Sequence, residues 1–458
     1  MRTMVEPTYR GIIKLASPVV ISMMSMTLMG AVDTFIVGFL GTSQLAAVGF
    51  MMMLCFNLLA FAQGFMGAVT TLVSQNFGAR NFSTCRAVVW QGMLFSVFYG
   101  IFCFLISFLI KDILNLMRFS EEIQKFGTLY GSVYMMGGIF IVFNYAMISF
   151  FQGIGNTKIP MMVAIFSNLI NAGLAWVLVL GWNGFGGYGV AGAAWATIFA
   201  SACSSLIYFI FFVRTPLGRE IHRKMRLNFS VLRKIFSLGI PMGIQMFLGM
   251  SAFMIFCLFI GWMGETTLAA NRIVMQLDQL AFMPIIGISQ AAQVVVGQYI
   301  GARKFSLAKQ MANRAILLGT LFEIVAGIFY FVYAESLARF FSHDPEVVFL
   351  SSRVMHFSLA WMSFDALFMV SLGALRGAGD VRWPMAVNLI LGYGMRLPLA
   401  YFAAFSWGLG LSGMWIVLTG NLILLGIILY ARFSSGHWMK RYETSGMVPE
   451  TATPVAMA

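Results

Sequence analysis

The chain has 458 residues, of which 60% are hydrophobic and only 10% charged, with a mean hydropathy of +0.86. A soluble domain carries about 25% charged residues because a water-facing surface needs them, so this chain has no means of solvating its own exterior. A secreted disulfide scaffold, a disordered chain and a soluble nucleic-acid binder are excluded; a polytopic membrane protein remains, and its net charge of +13 needs a membrane explanation.

In chain order, twelve apolar stretches each reach the roughly 20 helical residues that a bilayer core requires. The first six cover residues 12–39, 48–75, 87–111, 127–152, 159–182 and 188–213. The second six cover 231–262, 270–299, 311–334, 347–375, 382–406 and 411–433. The first stretch is longer than the about 7–15 apolar residues of a cleavable signal and is expected to stay in the membrane. With both termini on one side, most of the 29 Lys and Arg fall in the loops of that side, among them Arg80, Arg214, Arg233, Lys234, Arg303 and Arg432. The opposite loops hold mainly acids: Asp112, Glu121, Glu122, Glu335, Asp344 and Glu346. The positive-inside rule then puts both ends in the cytoplasm of an inner-membrane protein, and the basic excess is an orientation signal, not a nucleic-acid surface. Cys55, Cys85, Cys103, Cys203 and Cys257 form no C-x-x-C pair, so neither a disulfide framework nor a zinc site is expected.

The two halves repeat each other. Leu72-Val73-Ser74-Gln75-Asn76-Phe77-Gly78-Ala79-Arg80 matches Val295-Val296-Gly297-Gln298-Tyr299-Ile300-Gly301-Ala302-Arg303 at an offset of 223, from Arg80 to Arg303. Pro18 pairs with Pro241 at the same offset, and Gly41 and Leu45 with Gly264 and Leu268. Gln152-Gly153-Ile154-Gly155-Asn156 pairs with Arg376-Gly377-Ala378-Gly379-Asp380 at 224. The fold class predicted is an all-α membrane protein of twelve transmembrane helices, in two six-helix bundles related by a pseudo-two-fold axis along the membrane normal. Residues 1–213 form the N-terminal lobe, 214–234 a basic cytoplasmic linker, 235–435 the C-terminal lobe and 436–458 a cytoplasmic tail expected to be disordered. Two such bundles leave a central cavity, and rocking one against the other gives alternating access. A monomer is expected.

A residue needed for packing should recur in both halves, whereas one needed for chemistry need not. Asp33 maps to Phe256, and Asp365 maps back to Val142 or Ile141. A carboxylate inside a span costs about 2.5–3.5 kcal/mol on insertion scales, so it is a functional candidate that should face the bundle interior. At 1.5 Å per residue, Asp33, Asn171 and Thr197 all lie about 9–16 Å below the outer surface, and they form one candidate cation-coupling site. In the second half Asp278, Glu323 and Arg396 fall at similar depth and Asp365 nearer the middle; Arg396 is expected to neutralise one of these acids. Met23, Met24, Met26 and Met29, one to two turns before Asp33, are candidates for a soft substrate cavity among the 35 methionines.

In order and at repeat spacing, several segments make the chain resemble the multidrug and toxic compound extrusion (MATE) transporters over nearly its whole length. They are Ser17-Pro18, Val32-Asp33-Thr34, Gln75–Ala79 with Gln298–Ala302, Gln152-Gly153 with Gly155-Asn156-Thr157, Asn171, and Phe364-Asp365-Ala366 leading into Arg376-Gly377. The resemblance implies export of amphipathic, often cationic organic compounds in exchange for inward H+ or Na+, with no cofactor. It implies that Asp33 is the ion carrier, that Asn171 and Thr197 belong to its site, and that Asp365 is the second-lobe acid. Two acids that some members carry are replaced here, by Ala175 and Gly249. The thinner set of oxygen ligands favours H+, with Na+ at Asp33, Asn171 and Thr197 as the other possibility. On this reading ionised Asp33 helps to hold a cationic substrate, and protonation from outside releases it, which requires burial that disfavours the charged form. An inward proton supplies about 2.3 kcal/mol per 100 mV, enough for a substrate gradient of roughly fortyfold.

Gly184-x-Gly186-x-x-Gly189 fits a dinucleotide fingerprint but lies in a loop between spans with no preceding strand, and is read as a turn. Gly377-Ala378-Gly379-Asp380 resembles an intramembrane aspartyl protease motif, yet its repeat counterpart ends in Asn156. Neither a Walker A sequence nor H-E-x-x-H is present, so no enzymatic activity is expected. The alternatives are a flippase of lipid-linked saccharides, which would want several basic residues inside its spans, and a channel or receptor, which has no need of titratable asymmetry between repeats.

Overall fold

A computed structural model of the chain describes residues 4–116, 120–182, 187–219 and 227–443. Gly184 and Gly186 of the glycine run, residues 220–226 of the linker and the tail beyond residue 443 lie outside the described residues. The described residues form helices and turns: α1 (Tyr9–Gly38), α2 (Thr42–Gly78), α3 (Phe82–Leu116), α4 (Glu121–Met136), α5 (Gly138–Gly153), α6 (Lys158–Ala175), α7 (Val190–Arg214) and the short α8 (Pro216–Arg219). After the linker come α9 (Phe229–Gly261), α10 (Glu265–Gly301), α11 (Phe305–Val332), α12 (Ala334–Phe341), α13 (Pro345–Met355), α14 (Ser358–Gly377), α15 (Arg382–Leu389), α16 (Leu397–Tyr401), α17 (Gly410–Ser434) and α18 (His437–Glu443). Wide π-helical turns extend α6 through Trp176–Leu180 and flank α16 at Ile390–Arg396 and Phe402–Ser406.

Eleven of these helical spans are long and apolar enough to cross a bilayer, and the pair α4 and α5, bent by 50°, makes a twelfth. Close packing at the bend demands glycine. A Cβ at Gly137 would collide with Ile198 of α7, and one at Gly138 would meet the Cys103 Cβ of α3 at 2.5 Å. The stretch read as one span over 347–375 is also divided, at His356 and Phe357, and α14 alone is long enough to cross. The loop acid Asp344 caps α13, its carboxylate accepting from the Glu346 N–H at 2.8 Å with Pro345 at the first helical position.

Two compact units emerge. The first contains Ser17–Val73 and Phe82–Met250; the second contains the segment up to Ala16, Ser74–Asn81 and the chain from Ser251 onward. In the first unit Phe65 stacks on Phe95 with ring centroids 3.8 Å apart, and Phe150 meets Phe212 edge to face at 5.1 Å. In the second, one apolar cluster gathers Ile12, Val295, Phe433 and Trp438, and another gathers Phe256, Met362 and Trp415.

The duplication is written into the backbone. Arg80 and Arg303 both adopt left-handed conformations, φ 56° and 60°, where each helix closes with the same wide hydrogen bond. The Asn81 N–H reaches the Asn76 carbonyl at 2.8 Å, and the Lys304 N–H reaches the Tyr299 carbonyl at 2.9 Å. Gly155 and Gly379 repeat this with φ 76° and 74°. Within the second unit Gly78 lies against the Gln298 carbonyl and Gly301 against the Gln75 carbonyl, contacts that a Cβ would abolish.

The tail expected to be disordered from residue 436 begins instead with α18, whose Trp438 is 2% exposed. Trp438 and Tyr442 share a face at i, i+4 spacing, so together they cover an apolar surface that includes Phe305. The Tyr442 hydroxyl donates to the Ala378 carbonyl at 2.9 Å and accepts from the Gln75 amide at 3.0 Å. The segment is polar on average, and this aromatic pair is what docks it. In the neighbouring loop Asp380 is held by Arg432 in an ion pair at 2.9 Å.

Candidate functional site

Of the three residues expected at the N-terminal site, the structure joins Asp33 and Asn171, and no hydrogen bond links Thr197 to either among the described residues. Asp33 lies near the end of α1, Asn171 in the last turns of α6 just before its π-helical extension, and Thr197 in the second turn of α7. The Asn171 amide donates to both carboxylate oxygens of Asp33, at 3.2 Å each. One turn earlier on α6, Asn168 donates to the Ser25 hydroxyl at 2.7 Å. The two bonds lie three residues apart on α6 and two turns apart on α1, so α6 is pinned along α1 at both points. Asn171 is buried, and its Oδ1 has no hydrogen-bond partner among the described residues. Thr197 is half-buried and spends its proton on the Ala193 carbonyl at 3.2 Å, leaving its lone pairs free. No cation is paired with Asp33 among the described residues.

Tyr130 and Tyr134, stacked at 5.7 Å on α4, are close enough to Asp33 to interact with it electrostatically. Sequence reasoning passed them over. Their repeat counterparts are Arg353 or Val354 and Phe357 or Ser358, so neither tyrosine recurs in the second half.

The candidate methionines do not form one patch. On a helix of 3.6 residues per turn Met26 and Met29 fall on the face of Asp33, whereas Met24 lies on the opposite side and Met23 between. Met29 is buried, Met23 half-buried, and Met24 and Met26 are exposed.

The second-unit acids sit among tryptophans. Asp278 on α10 accepts from the Trp361 indole at 2.8 Å, Trp361 lies 4.7 Å from Trp415, and Trp415 donates to the Asn271 side chain at 3.0 Å. Glu323 is 2% exposed, and one of its oxygens has no partner among the described residues. Asp278, Glu323 and Asp365 lie within electrostatic range of one another. The expected neutralisation by Arg396 is not made. Arg396 has Tyr393 as its electrostatic neighbour, its Nε has no partner, and it pairs with none of the three acids among the described residues. The turn Ile390–Arg396 is π-helical, so counting residues along a regular helix does not give the face on which Arg396 lies.

The MatE family profile matches residues 18–177 and 241–402. The chain belongs to the MatE family. The matched blocks begin at Pro18 and Pro241, the same pair that marks the internal repeat, so one MatE block corresponds to one half of the chain. A probable multidrug resistance protein NorM of Thermotoga maritima is 27% identical over 438 residues, covering 94% of this chain and 93% of its own length. The multidrug resistance protein MdtK of Photorhabdus laumondii is 25% identical over 435 residues, covering 93% and 95%. A solved MATE in the bent conformation matches with a TM-score of 0.85 at 22% identity, over 95% of this chain and 96% of its own. An outward-facing multidrug resistance MATE family transporter of the MOP superfamily matches at 0.83 with 20% identity and the same coverage. The fold is therefore the MATE fold. Among the described residues no three His, Cys, Asp or Glu side chains gather as a metal site.

Proposed function

We propose that the protein is a cation-coupled antiporter that exports amphipathic, often cationic organic compounds by alternating access. The observation that carries this reading is a carboxylate, Asp33, inside an apolar span with an amide partner and no counter-ion among the described residues. The names of the NorM and MdtK relatives support the substrate class.

The coupling step follows from what a carboxamide can do. With Asp33 ionised, both its oxygens accept, and the Asn171 NH2 serves them as described. Once Asp33 is protonated it carries an O–H to donate, and the buried Asn171 Oδ1, otherwise unpartnered, is the matching acceptor after the amide turns over. Asn171 thus serves both states, while protonation removes the charge that attracts a cationic substrate. A second reading rests on the same free oxygen: the Asp33 carboxylate, Asn171 Oδ1 and the Thr197 hydroxyl oxygen are the hard donors that Na+ takes. The proton is favoured because these three are few for a sodium site.

Proteoliposomes settle the matter when a pH gradient and a Na+ gradient are imposed separately and ethidium efflux is followed. The wild type should respond to the pH gradient, and Asp33→Asn should respond to neither. Undiminished gradient-driven efflux from Asp33→Asn would refute the assignment, and a response to Na+ alone would replace the proton with sodium.

A further inference from the structure

The loop between the halves carries more charge than orientation requires. Residues 214–234 hold seven Lys and Arg against a single acid, Glu220. Four of them are in described parts of the first unit: Arg214 and Arg219 at the ends of the turn that contains α8, and Arg233 and Lys234 in the second turn of α9. All four are exposed, and none of their side chains has a hydrogen bond or ion pair among the described residues. Structural arginines of this chain look different: Arg432 is bound to Asp380 and lies over the Trp383 ring.

Arg233 and Lys234 open on a groove of about 540 Å3 along the start of α9, lined also by Phe229, Ser230 and Ser237. Phe229 is 75% exposed and the neighbouring Leu227 60%. Cations and hydroxyls would serve any phosphate. Large apolar side chains beside them are costly to a water-facing phosphate site and suit a ligand that brings hydrocarbon with its charge. Because α9 enters the membrane within its next turns, this groove stands at the level where headgroups meet acyl chains.

We propose that Arg233 and Lys234 hold the headgroup phosphate of an anionic phospholipid, with Ser230 as a hydroxyl partner and Phe229 against the acyl chain. This inference rests on the membrane-spanning fold and not on the transport reading, and its test reads binding directly.

The test uses the full chain in nanodiscs of phosphatidylcholine with a minor fraction of phosphatidylglycerol, with co-purifying lipid counted by native mass spectrometry. The wild type should retain phosphatidylglycerol over phosphatidylcholine, less so as salt rises. At roughly 1 kcal/mol for each basic residue near the surface, Arg233→Gln with Lys234→Gln should weaken that retention about thirtyfold. Arg339→Gln, at an exposed helical ion pair with Glu335, should leave it unchanged. Phe229→Ser should weaken lipid retention while leaving competition by inorganic phosphate untouched, which separates a lipid from a free phosphate. Equal retention of the two lipids, unchanged retention in the double variant, or full displacement of the lipid by millimolar inorganic phosphate would each overturn the proposal.

Discussion

Replacing Trp361 with Phe removes one donor from beneath Asp278 and asks whether that carboxylate is part of the scaffold. The indole N–H lies 2.8 Å from Oδ1; Trp361 is 3% exposed and Asp278 is half-buried. A hydrogen bond to a charged acceptor contributes about 1.5–3 kcal/mol. The smaller ring also loosens contact with Trp415, a packing loss that has nothing to do with the carboxylate. A double-mutant cycle with Asp278→Leu separates the two, because packing loss appears in both arms and cancels. Unfolding of the purified protein in detergent, followed by tryptophan fluorescence, should give a coupling energy of about 1.5–3 kcal/mol. A coupling near zero would mean that the indole and the carboxylate are neighbours without being partners, and the scaffold role of Asp278 would fall.

Further outcomes follow from other contacts. Gly301→Ala should destabilise by about 1–3 kcal/mol because its Cβ meets the Gln75 carbonyl, whereas Gly30→Ala, with open space around it, should not; equal melting of the two variants would contradict this. Trp438→Ala should cost about 3–5 kcal/mol in the same unfolding measurement, since the ring is buried against Phe433 and Phe305; melting at the wild-type temperature would contradict this. Asn171→Leu keeps the branched outline of the side chain but removes both the donor and the free oxygen; efflux driven by a pH gradient should drop severalfold with normal insertion, and wild-type rates would sink the proposed role of its amide.

The number of spans, their order and the repeat could be read from the chain because each depends on runs of twenty or so residues, over which hydropathy averages out local accident. Asp33 and Asn171 were legible as partners because both lie in regular helix and at one depth. Arg396 was not, since a π-helical turn changes which way a residue faces without changing how apolar its neighbours are. Trp361 and Trp415 were hidden for a related reason: an indole in an apolar span reads as filler, and only its N–H, aimed at Asp278 or Asn271, makes it specific. The break at Gly137 depends on how closely α7 and α3 approach, a tertiary fact that no local pattern carries.

The crossing of Gly78 and Gly301 has a form that bears on descent. The glycine of each copy touches the glutamine carbonyl of the other, Gly78 on Gln298 and Gly301 on Gln75, so the contact is reciprocal. Reciprocity of this kind is the mark of an isologous surface, in which one patch pairs with itself in a second molecule. A half-length ancestor carrying a single Gln-x-x-Gly segment would have had, in that one segment, everything needed to pair with a copy of itself. The contact is made on the glutamine backbone, so it fixes the two glycines and leaves the glutamine side chains to different partners, Gln75 to Gly377 and Tyr442, Gln298 to the Val5 N–H.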